Sequence, residues 1–182
     1  VLEDIEDAAD VGVTTASGDV IICSGGVVDE GYRAMEVREF CYLSGGRFWP
    51  VKGRAEVQSR ATVRASKTFV NAYNDWIFTY HLNDDQYKQL LYMGLIRGNA
   101  RNVEYGRRRL VLPEDVDPDF VAEFLAERQV SKKNRYGYEK LVWQMPKDLS
   151  NDYADCVKYG LVAWDVVSPE LLAGELQDDT PI

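Results

Sequence analysis

Residues 18–53 read GDVIICSGGVVDEGYRAMEVREFCYLSGGRFWPVKG, and their pattern decides the fold. Val20, Ile21 and Ile22 form a short β-branched run that suits a buried strand, and Cys23 ends it. Ser24, Gly25 and Gly26 supply a turn, since glycine frees the backbone there. From about Asp29 the spacing is helical: Ala34, Val37, Phe40 and Cys41 recur at three and four residues, and Gly45-Gly46 closes the run. Residues 47–51 read as a second strand, with Lys52 and Gly53 just past its end. A strand, helix and strand of this size make a parallel βαβ crossover. Ligands bind such sheets beyond the carboxyl ends of the strands. Cys23 and Lys52 are therefore expected side by side at the functional edge, with the 29–43 helix on one face.

Outward from this unit, the chain of 182 residues with 46% hydrophobic content supports one packed domain, residues 1–169, and an acidic tail, residues 170–182. No apolar run is long enough to span a bilayer and no signal peptide opens the sequence, so no membrane partner is expected. The three cysteines lie far apart, without a CxxC pair, and read as reduced thiols of a cytosolic protein. His81 is the sole histidine; it reads as a surface or internally satisfied residue, and no zinc site is expected. The first residue is Val rather than Met, which reads as a piece of a longer chain or a processed one. A formal charge of −9 excludes nucleic-acid binding over the whole surface but permits a local basic groove beside an acidic, metal-holding site.

The flanking stretches follow the same logic. Residues 2–13 are acidic at helical spacing; Asp4, Glu6 and Asp7 read as a solvated face rather than a cation site. Residues 54–67 carry Arg54, Arg60, Arg64 and Lys67 against Glu56 alone and read as a loop or edge hairpin. A basic loop beside a strand end suits a phosphate backbone, with ordinary surface as the alternative. Residues 75–82 read as a strand, and 83–98 as a helix capped by Asn83 or Asp84, with Tyr87, Leu90, Leu91 and Leu95 as its stripe. Arg101, Arg107, Arg108 and Arg109 form the densest basic run, followed by a short strand at 110–112. Asp117-Pro118 opens a helix with Phe120, Val121, Phe124 and Leu125 on its buried side. Lys132, Lys133 and Arg135 lie in a hairpin loop before a strand at 138–143. Ser150 caps the last helix, residues 151–167, where Asp152 and Asp155 share one side; the alternative reading is charge placed to complement the helix dipole. No phosphate-binding GxxxxGK[ST] loop, GxSxG elbow or kinase signature is present.

Three stretches in the same order resemble the nuclease domain of lambda-type phage terminase large subunits: ICSGGVVDEGYRAMEVREFCY, the strand ending Val51-Lys52-Gly53, and Asn151-Asp152-Tyr153-Ala154-Asp155-Cys156-Val157-Lys158-Tyr159. Tyr87-Lys88, Leu125-Ala126-Glu127 and Trp143 are weaker matches between them. The resemblance implies an α/β, RNase H-like mixed sheet flanked by helices, here lacking the family's first strands and the ATPase motor that precedes them. It implies a metal-dependent endonuclease domain that cuts concatemeric double-stranded DNA during genome packaging. The implied cofactor is Mg²⁺ or Mn²⁺. The implied partners are double-stranded DNA, the terminase ATPase domain, the small terminase subunit and the portal protein, in the cytoplasm of an infected bacterium. By resemblance, Asp155, Lys52 and Cys23 stand at catalytic positions, and Asp155, Asp152 and Asp29 are the metal candidates. Arg54, Arg60, Lys132 and Lys133 are the expected DNA contacts. The family has an acid where this chain has Cys23, and a neutral thiol is a poor Mg²⁺ ligand. A catalytically incomplete module that binds DNA or the packaging machinery is therefore the second expectation.

Overall fold

The computed structural model describes residues 2–15, 17–54, 63–96, 110, 112 and 114–166. Two compact units divide the chain: residues up to Asp84 together with those from Gly160 onward, and residues Asp85–Tyr159.

In the first unit, helix α1 (Leu2–Val11) leads into strands β1 (Val13–Thr14) and β2 (Val20–Ile21), which pair antiparallel as a two-stranded ribbon. The main sheet is built from β3 (Gly26–Asp29), β4 (Phe48–Arg54), β5 (Val63–Val70) and β6 (Asp75–Asn83), in the order β3-β4-β6-β5. The β3–β4 and β4–β6 pairs are parallel and β5–β6 is antiparallel, so the sheet is mixed, and helix α2 (Ala34–Leu43) connects β3 to β4. Val37 and Cys41 of α2 are buried with Phe48, Val70 and Ile77 on one face of this sheet. This α/β arrangement, a mixed sheet with flanking helices, is consistent with an RNase H-like nuclease domain.

The βαβ unit exists, but its first strand starts six residues later than the sequence suggests, at Gly26 rather than Val20. Val20, Ile21 and Ile22 are exposed, and β2 pairs only with β1. The strand beside β4 starts at Gly26, the second of the two glycines read as a turn. That glycine is needed inside the strand: a β-carbon there would sit 3.3 Å from the Phe48 ring. The helix starts at Ala34 rather than near Asp29, because Arg33 before it takes a left-handed conformation (φ 56°). Strand β4 runs on to Arg54, so Lys52 and Gly53 lie within it.

In the second unit, α3 (Asp84–Gln89) passes into a π-helical segment, Leu90–Ile96. The expected continuous helix thus changes its hydrogen-bond spacing midway, while Tyr87, Leu91, Tyr92 and Leu95 remain buried. Helix α4 (Pro118–Phe124) starts as expected, with the Asp117 side chain accepting from the Asp119 N–H. Strands β7 (Arg128–Lys133) and β8 (Glu139–Gln144) form a hairpin, so Lys132 and Lys133 stand on a strand and not in its loop. Asn134 holds the turn by accepting the N–H groups of Tyr136 and Tyr138. Helix α5 (Asp152–Val166) begins in this unit and ends in the first. Its first turn is capped by Ser150 Oγ, which accepts the Asp152 N–H at 3.2 Å. The short strand expected at 110–112 is not formed at Leu110 or Leu112.

Candidate functional site

In the first unit the carboxyl ends of the parallel strands gather charge. Asp29 is paired with Val51, so Glu30 follows opposite Lys52, and the Glu30 N–H bonds the Val51 carbonyl at 2.8 Å. Lys52 is paired with His81 on β6, and His81 with Arg64 on β5. Directly paired residues point to the same face of a sheet, so Lys52, His81 and Arg64 form one row across three strands. Glu30 is buried (1% exposed) and held by a two-point bond from Arg38 of α2, Nε to Oε2 at 2.6 Å and Nη2 to Oε1 at 2.8 Å. The fork supplies both Glu30 oxygens with a donor where water cannot reach them. Ser66 Oγ lies 2.7 Å from His81 Nε2 and fixes the ring. Burial, then the nearby Arg54 charge, holds the imidazole below its ordinary pKa, against an upward pull from Glu30.

Cys23 is not part of this end. It precedes β3 on the amino side, exposed, with its thiol directed to the Gly25 carbonyl and its own carbonyl accepting from Arg47. Phe48, paired with the first residue of β3, is four residues before Lys52, or about 13 Å along a strand. The expectation that Cys23 and Lys52 lie side by side is thus corrected: Asp29 and Glu30 occupy the strand end beside Lys52. The cause is the displaced strand, which moves the Cys23 position from one end of the unit to the other. Asp29 itself is exposed, and its Oδ1 accepts the Gly31 N–H at 3.1 Å. Arg54 is exposed at the end of β4, and Arg60 lies outside the described residues.

The second unit holds a different set. Asp155, one-third exposed, accepts from the buried Lys158 ammonium at 2.7 Å, one helical turn on. Lys88 and Glu127, also largely buried, pair at 2.8 Å, while Glu127 Oε2 is buried without a partner. Tyr92 joins the two pairs electrostatically: burial, then Glu127, and to a lesser degree Asp155, push its phenol up to about 12, against the pull of Lys88. Its hydroxyl donates to the Phe124 carbonyl at 3.1 Å, and its ring lies 5.0 Å from that of Trp143. Asp152 is exposed; with Asp155 it raises the pKa of the Cys156 thiol, after burial as the main cause. Lys132 and Lys133 are exposed on β7.

Residues 2–175 match the family model described as terminase large subunit gpA, endonuclease domain. The chain belongs to this family. No curated protein and no solved structure matches it. In this terminase endonuclease domain the helical motif with Asp155 and the two weaker matches at Lys88 and Glu127 come from segments far apart in sequence and fall in one compact unit. Sequence reasoning gave Lys88 and Glu127 no role, although the aromatic–Lys pair and the leucine-rich turn ending in Glu marked both positions. Glu30, Arg38 and His81 carried a fainter signal. Only the register of β4, β5 and β6 brings Lys52, Arg64 and His81 together. No helix among the described residues is long and apolar enough to cross a membrane.

Among the described residues no three carboxylate, histidine or cysteine side chains gather into a metal-binding group. Mg²⁺ sites need fewer than that: one or two carboxylates commonly suffice, the remaining ligands being water and substrate phosphate. Asp155 and Glu127 supply hard oxygen donors of the right kind, and the unpartnered Glu127 Oε2 is an acceptor with spare capacity. The donor chemistry therefore fits Mg²⁺ or Mn²⁺, whereas the Cys23 thiol does not.

Proposed function

We propose that this domain is a divalent-metal-dependent endonuclease that cuts concatemeric double-stranded DNA during phage genome packaging. Family membership supports the endonuclease class, and the observation that carries the finer reading is the convergence of Asp155 and Glu127 on Tyr92. In this reading Asp155 and Glu127 hold the Mg²⁺ or Mn²⁺, with Asp152 on the same helix as a further candidate. The ion supplies activation of water and charge stabilisation on the scissile phosphate. Lys158 and Lys88, which hold the two carboxylates, would be available to phosphate oxygens once those carboxylates served as metal ligands. Lys52 and Arg54 at the sheet end, Arg60, and Lys132 and Lys133 on β7 contact the DNA backbone, while Asp29 is a further metal candidate. The ATPase domain, the small terminase subunit and the portal protein are the partners this function requires, in the host cytoplasm.

The second reading, a catalytically incomplete module that binds DNA or packaging partners, is favoured by one observation: both candidate carboxylates are already bonded to lysine ammonium groups. Incubation of supercoiled plasmid with the purified chain and Mn²⁺ separates the two. Nicking or linearisation is expected, with Asp155→Asn and Glu127→Gln each reducing the rate at least about a hundredfold. Metal-independent retention of the plasmid without any cutting would favour the binding module.

A further inference from the structure

We propose that the row formed by Lys52, His81 and Arg64, with Arg54 at its rim, is a binding site for a phosphate group. The proposal extends the reading above, in which Lys52 and Arg54 face DNA, and rests on that reading only for the origin of the phosphate.

The geometry comes from the register. Lys52 and Arg64 are the direct partners of His81 on its two neighbouring strands. Adjacent strands lie about 4.8 Å apart, so the two cations flank the imidazole with about 10 Å between their backbones. Long flexible side chains converge over such a gap onto a group the size of phosphate. Arg54, two residues beyond Lys52 on β4, faces the same way.

Charge balance points in the same direction. Among the described residues Glu30 is the carboxylate whose charge acts on His81, and Arg38 bonds both of its oxygens. Among the described residues Lys52, Arg54 and Arg64 make no ion pair. The charges of Arg54 and Lys52 act on the imidazole, and Arg64 is its direct strand partner, in a chain whose formal charge is −9. Like charges so close repel one another, and an anion among them removes that cost. Ser66 adds a hydroxyl at 2.7 Å from the ring, and phosphate recognition combines cations with such neutral donors. The site also lies at the carboxyl ends of β4 and β6, where parallel strands expose ligand-binding edges.

The phosphate can belong to a DNA backbone or to a small anion, and His81 separates the two because it is the sole histidine. Its ring carbon-bound protons give one assignable pair of NMR signals. Titration of the full chain with inorganic phosphate, at ionic strength held constant with chloride, is expected to shift them saturably. Arg64→Glu and Arg54→Glu should each weaken the phosphate affinity at least about tenfold. Arg64→Gln, which removes charge without reversing it, should weaken it less, and backbone amide spectra verify that each variant is folded. A second titration uses a short blunt duplex. Saturation by duplex at far lower concentration than by phosphate identifies the DNA backbone as the source; saturation by phosphate alone identifies a small-anion site. Signals that follow ionic strength without saturating, or that saturate equally in the Arg64 and Arg54 variants, overturn the proposal. The plasmid-cutting test reports on Asp155 and Glu127 and is independent of this titration, so either reading can fail alone.

Discussion

At the scale of single residues, the Arg38–Glu30 pair is the most exacting contact in the first unit. Glu30 is fully buried while Arg38 keeps a quarter of its side chain in contact with solvent, so the two deletions differ in kind. Arg38→Ala strands a carboxylate in the interior, and its cost is on the order of 3 kcal/mol. Arg38→Lys retains charge but loses the two-point bond, and falls between the variant and the native chain. Urea unfolding checks the order: a lower midpoint for Ala than for Lys, at unchanged slope. The sequence hid this pair because the seven residues between its members include a left-handed Arg33, which breaks the helical spacing that would have made them neighbours. By contrast Asp155 and Lys158 stand three apart on an unbroken helix, where spacing alone brings two side chains together.

At the scale of elements, legibility followed the clarity of local signals. Helix α4 began where Asp117-Pro118 marked it, because a cap and a proline fix a helix start without tertiary help. That cap gives a direct expectation: Asp117→Ala leaves the Asp119 N–H without its acceptor and lowers stability by about 1 kcal/mol, read as a fall in the thermal midpoint. Asp117→Ser should restore most of it. The first strand of the βαβ unit differs from the sequence reading because Val20-Ile21-Ile22 is the more β-branched run, whereas Gly26-Val27-Val28 begins within the Ser24-Gly25-Gly26 turn signal. The strand at Gly26 is defined by its parallel pairing with Phe48, 22 residues away in sequence, which local pattern does not show. Helix α2 was recognised by its stripe of Val37 and Cys41, and both are buried. The π-helical segment was missed because Tyr87, Leu91 and Leu95 fit an ordinary α-helical stripe.

At the scale of the whole molecule, charge is distributed against its average. The chain is acidic overall, yet Lys132 and Lys133 project from an exposed strand and Arg54 from a strand end. If the domain holds DNA through these groups, log affinity falls linearly with log salt. Reversing both Lys132 and Lys133 to Glu should reduce that slope by about 2 and weaken binding to all sequences alike. Fluorescence anisotropy of a labelled duplex across a salt series measures both effects, and an unchanged slope removes β7 from the interface. Salt acts in the opposite sense on another feature, the β1–β2 ribbon, which turns Val13, Val20 and Ile21 outward and continues into an equally exposed Ile22. In dilute buffer the Debye length is long, about 30 Å at 0.01 M, and within it the shared negative charge keeps molecules apart. Adding electrolyte shortens that range to a few ångströms while leaving apolar attraction intact, so colloidal stability and DNA release make opposite demands on the ionic medium. The conditions that free this domain from a duplex are the ones in which its own concentrated solutions tend toward turbidity.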